Sequence, residues 1–146
     1  RFGNEVVATN KKGIVRLLRC LEAGGVVTIL PDQVPASGIF SNFFGMQALT
    51  DVLIPRLVSR TGASVVLVTV QRSFDGRFIV VCKEPEPEIY SEEEEVAVQG
   101  MNKTIERCVR EATVQYQWEY KRFRERPPGE KKIYRFNKPE EYHLPR

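Results

Sequence analysis

Apolar residues recur at helical spacing in three stretches of the chain. In residues 11–23, Ile14, Leu17, Leu18 and Leu21 share one face, and Gly24-Gly25 follow as a stop. A second helix is predicted just after Thr50-Asp51, with Thr50 as N-cap. Its apolar face is Leu53, Ile54, Leu57 and Val58, and Thr61-Gly62 end it. A third is predicted over residues 92–112, where Val98, Met101, Ile105, Cys108, Val109 and Ala112 form a stripe behind an acidic start.

Between these lie runs with strand character. Residues 26–30, "VVTIL", are short, apolar and β-branched, which predicts a strand buried on both faces. Residues 63–72, "ASVVLVTVQR", predict another. Asp75-Gly76 followed by "RFIVVCK" predicts a hairpin. Strand, helix and strand in this order predict a right-handed βαβ unit. The fold class expected is therefore α/β: a mostly parallel sheet with flanking helices and one β-hairpin. Residues 34–49 combine turn-forming residues with Phe40, Phe43, Phe44 and Met46, and are expected to form a long loop with an apolar middle. Alternation over residues 116–120 reads as an edge strand or extended segment.

A length of 146 residues suits a single domain, assigned to residues 1–134, with residues 135–146 as a polar tail. No apolar run approaches the length of a membrane-spanning helix. Cys20, Cys82 and Cys108 lack metal-ligand spacing, so no metal site is expected. The single histidine, His143, stands in the polar tail, away from any nucleophile it could activate. The net charge of +3 is uneven: residues 83–112 are acidic, and residues 113–146 are basic.

Three stretches carry candidate chemistry. "ILPDQ" (29–33) puts Asp32 and Gln33 just beyond the expected strand. That position serves either a turn or a ligand crevice at a carboxyl strand end. Phe43, Phe44 and Gly45 either plug the core or line an apolar cavity. In "VQYQWEYKRFRERPPGEKK" (114–132), Trp118, Lys121, Arg122 and Arg124 alternate aromatic and basic character. Such a segment either packs its rings on the sheet with solvated charges outside, or meets an anionic surface, clustered phosphates or nucleic acid.

"EAGGVVTILPDQ", "FFG", "TGASVVLV" and "MNKTIERCVREATVQYQWEYKRFRERPPGE", in this order, resemble the carboxyl-terminal half of the bacterial lipid A biosynthesis acyltransferases, the lauroyl and myristoyl transferases. The resemblance implies a partial glycerolipid-acyltransferase-like domain. It also implies transfer of a fatty acyl chain from acyl carrier protein to a hydroxyl or hydroxyacyl group of a lipid A precursor, without a cofactor, at the cytoplasmic face of the inner membrane. Arg1, Asp32 and Gln33 then become substrate-binding candidates, and Phe43, Phe44 and Gly45 candidates for an acyl groove. Trp118, Lys121, Arg122 and Arg124 become candidates for facing membrane or phosphate. The family's His-x4-Asp/Glu pair is absent from this sequence and is expected upstream, so the chain alone is expected to be inactive. An exposed sheet edge leaves a homo-oligomer open. The alternative reading is a non-catalytic α/β module binding anionic lipid or nucleic acid through its basic aromatic segment. On the leading reading nucleic acid is not expected.

Overall fold

The computed structural model describes residues 3–8 and 10–134. Three helices form where periodicity places them: α1 (Lys11–Glu22), α2 (Leu53–Thr61) and α3 (Glu94–Glu111). Asn10 caps α1, its Oδ1 accepting from Gly13 N at 3.0 Å. The start of α2 differs from expectation. Thr50 ends a strand, and Asp51 instead receives the Leu53 N–H at 2.8 Å. Gly62 closes α2 in the left-handed conformation, its N–H reaching Val58 O.

The strands depart further from the prediction. Among the described residues there are two separate antiparallel hairpins, β1 (Ile39–Phe43) with β2 (Met46–Thr50) and β3 (Leu67–Arg72) with β4 (Phe78–Lys83). The chain is a mixed α/β domain, and the expected mostly parallel sheet is not what forms. Residues 26–30 make no strand, and no backbone–backbone hydrogen bond joins them to another described segment. β-Branched residues favour a pleated surface but do not supply a partner. The β3–β4 hairpin lies where Asp75-Gly76 predicts it.

Residues 34–49, expected as a loop, contain the β1–β2 hairpin. Phe43 pairs with Met46, so Phe44 and Gly45 are the two-residue turn, with φ of 51° and 79°. Positive φ at both positions is the type I′ signature, which suits glycine and is uncommon for phenylalanine. Residues 116–120, expected as an edge strand, fold instead into a short 3₁₀ turn (Trp118–Tyr120).

α3 packs across the β1–β2 hairpin and reads its backbone with three polar side chains. Gln99 Oε1 accepts from Asn42 N (3.0 Å) and Ser41 Oγ (2.9 Å). Asn102, fully buried, donates from Nδ2 to Asn42 O and Thr50 Oγ1, both at 3.1 Å. Glu106 accepts the Phe44 N–H at 2.7 Å. Phe43, Ala48, Ile89, Met101, Ile105 and Val109 make the core between these elements. Gly100 lets α3 approach the 3₁₀ turn Pro87–Tyr90: a Cβ there would lie 2.6 Å from Ile89 N.

Candidate functional site

One end of β3 is tied to the chain beyond α3. Arg72 N donates to Gln115 Oε1 (2.7 Å), and Gln115 Nε2 donates back to Arg72 O (3.0 Å). This clamp fixes the neighbouring Tyr116, whose ring packs edge-on against Trp118 (4.8 Å between centroids) and tilted against Phe43 (6.4 Å). Tyr116 lines an apolar cleft of about 740 Å³. One wall is residues 24–32 and the other residues 63–71. Ile54, Leu57, Met101 and Ile105 lie between them.

Asp32 also lines this cleft, half-buried, close enough for its charge to act on both Tyr116 and Arg122. Burial, reinforced by the Asp32 carboxylate, pushes the Tyr116 phenol up to about 12, although Arg122 pulls the other way. Tyr116 is therefore a neutral hydrogen-bond donor throughout the physiological range. Among the described residues neither the Asp32 carboxylate nor the Tyr116 hydroxyl has a hydrogen-bond partner. An unengaged acceptor and an unengaged donor in the lining of one apolar cleft can together hold a hydroxyl group, which both donates and accepts.

Arg122 lies behind this pair and is only 3% exposed. Its guanidinium donates to Leu49 O and, at 2.8 Å, to Thr50 Oγ1, and it stacks on the Phe43 ring at 5.5 Å. Burial lowers its pKa. The outward, phosphate-facing Arg122 expected from the sequence is thus corrected: its donors are spent on strand β2.

The remaining candidates are placed as follows. Arg1 lies outside the described residues, as does His143. Gln33 is exposed beside Asp32 and does not line the cleft. Phe43 is fully buried in the core, and Phe44 and Gly45 form the hairpin turn. None of the three lines the cleft. Arg110 lies over the Phe44 ring at 4.9 Å and helps occupy it. Trp118 is 44% exposed with its indole N–H on Thr113 O. Lys121 is half-buried just past the 3₁₀ turn, and Arg124 is exposed beside Glu125. Sequence reading missed the Tyr116 hydroxyl, registering it only as one ring among several in a basic stretch. Its distance of one residue from a clamped glutamine is invisible without the fold.

The described part of the match covers Asp32, Tyr116 and Arg122 alike. The family model for bacterial lipid A biosynthesis acyltransferases matches residues 1–125. This chain belongs to that family. Among curated proteins it is similar to the lipid A biosynthesis lauroyltransferase of Escherichia coli K12, 31% identical over 124 residues, which is 82% of this chain and 40% of the relative. The palmitoleoyltransferase of the same organism is 34% identical over 128 residues, 86% of this chain and 41% of the relative. A lipid A biosynthesis acyltransferase of Shigella flexneri matches to the same extent. The chain thus spans about 40% of the length of the curated relatives it matches. Among the described residues, no helix of this acyltransferase-family chain is long and apolar enough to cross a membrane.

Proposed function

We propose that this chain builds the acceptor side of an acyl-transfer site. In the longer enzyme, a fatty acyl chain passes from an acyl carrier protein thioester to a hydroxyl of a lipid A precursor. The observation that carries the reading is that Asp32 and Tyr116 line one apolar cleft, near enough for the charge of one to act on the other, within a chain of this family. Asp32 accepts a hydrogen bond from the acceptor hydroxyl, and Tyr116 donates one to an oxygen of the same group. This orients the nucleophile before the thioester carbonyl. The base that removes the proton belongs to the family's His-x4-acid pair, which this sequence does not contain. Arg1 and Gln33 are assigned to the acceptor's polar groups. The exposed Trp118 and Arg124 are assigned to the anionic inner-membrane surface on the cytoplasmic side.

The binding-module reading draws less support. Arg122 is buried, and Arg126 is spent on Gln47 O and Glu130, so the basic segment offers fewer outward charges than its composition suggests. The test is Asp32→Ala in the longer enzyme. Acyl transfer should fall at least about tenfold as the nucleophile loses its orientation, with the unfolding midpoint unchanged. Undiminished turnover in a folded variant would end the assignment.

A further inference from the structure

One wall of the cleft, residues 26–30, has no backbone–backbone hydrogen bond to another described segment, and the other is β3, which pairs with β4 along one edge only. Residues 26–31 line it consecutively, and so do all of residues 65–71. Consecutive lining means that the cleft meets the edge of each segment as well as one face. The direction of the β3 edge follows from the clamp at its end. Arg72 turns both its N–H and its C=O to Gln115, away from β4. Ser73, the next residue, turns its N–H to Arg77 O across the hairpin. Backbone groups alternate sides along a strand. Val68 and Val70 therefore point their N–H and C=O groups out of the hairpin as well, into the cleft, while Leu67, Thr69 and Gln71 bond β4.

The Gln115 carboxamide does for Arg72 what a neighbouring strand would do. Below it, among the described residues, the Val68 and Val70 backbone has no such partner, and residues 26–30 make no backbone–backbone hydrogen bond. Unpaired peptide groups facing branched aliphatic side chains are costly for a protein to retain. Both walls run in the same sense, since Asp32, which follows one, lies near enough for its charge to act on Tyr116, and Arg72, which ends the other, bonds Gln115 next to Tyr116.

We infer that the cleft is a strand slot: an extended, apolar segment of about five residues, roughly 17 Å at ~3.3 Å per residue, inserts between residues 26–30 and β3 and hydrogen-bonds to both. Its source is polypeptide of the longer protein outside residues 1–146, since the matched relatives are well over twice the length that the match covers. One end of the inserted segment is thereby delivered beside Asp32 and Tyr116, so the site is incomplete without it. The inference stands on backbone geometry and does not depend on the acyl-transfer reading.

Residue-resolved amide exchange along β3 in the longer protein tests it. An open edge gives an alternating pattern, with Leu67, Thr69 and Gln71 slow and Val68 and Val70 fast. A filled slot gives uniformly slow exchange, with Val68 and Val70 retarded roughly 100-fold or more relative to an open edge and independent of protein concentration. Alternation persisting in the longer protein overturns the inference. So does uniform protection that disappears on dilution, which assigns the slot to a second copy of the chain. Acyl-transfer activity plays no part in the readout.

Discussion

Replacing Arg122 with methionine separates a structural guanidinium from a surface one. The side chain is almost fully buried, donates to Leu49 O and Thr50 Oγ1, and stacks on Phe43. Removing it strands Leu49 O, a loss of about 1–3 kcal/mol for a buried group left unsatisfied. Thr50 Oγ1 loses less, because Asn102 Nδ2 still reaches it at 3.1 Å. The lost stacking on Phe43 adds about 0.5–2 kcal/mol. Burying methionine in place of a charge returns part of this, since the guanidinium no longer has to be desolvated. The net expectation is a destabilisation of about 2–3 kcal/mol. With a urea slope of ~2 kcal/mol per molar, the unfolding midpoint falls by roughly 1 M. Urea denaturation followed by tryptophan fluorescence reads this through Trp118. A loss below about 0.5 kcal/mol, the size of an ordinary surface change, would refute the reasoning and return Arg122 to the surface role that its basic, aromatic neighbourhood suggests.

Two further outcomes follow from the same packing. Gly100→Ala gains up to about 1 kcal/mol in helix propensity, yet its methyl group would meet Ile89 N at 2.6 Å and the Glu88 carbonyl carbon at 2.8 Å, both backbone. Clash outweighs propensity, and the melting temperature should drop by a few degrees; a rise would show that the 3₁₀ turn moves freely. In an ultraviolet titration Tyr116 should ionise near 12, and Tyr116→Phe should remove that phase. Because the folded pKa lies above the unfolded one, the contribution of Tyr116 to stability is complete below about pH 10 and fades as pH rises from there toward 12. Stability that is flat across that window would contradict the burial of its hydroxyl.

The helices were legible because their signal is local. Ile14, Leu17, Leu18 and Leu21, or Val98, Met101 and Ile105, declare a face within a few turns, and Gly62 declares a stop. The β3–β4 hairpin was legible through Asp75-Gly76. The β1–β2 hairpin was not, because its turn places phenylalanine where Asn or Gly is usual. What holds Phe44 there comes from Glu106 and Arg110, more than sixty residues away. Residues 26–30 read as a strand because their side chains suit one, but pairing is decided by whatever lies alongside. At the site, Asp32 could be nominated from its place after an apolar run. Tyr116 could not, since its role depends on Gln115 gripping Arg72. Arg122 misled because a guanidinium in a basic segment looks the same whether its acceptors are phosphates or carbonyls.

The grip of α3 on the first hairpin also bears on the order in which the chain assembles. Gln99, Asn102 and Glu106 reach Asn42 and Phe44 across sequence separations of 57, 60 and 62 residues. None of these bonds can form until that whole length of chain has been brought round, so the entropy of closure precedes their reward. A turn that is unfavourable for phenylalanine has little reason to persist before α3 arrives. If the hairpin forms late, weakening this clasp should speed unfolding more than it slows folding, which stopped-flow kinetics of Gln99→Ala would read.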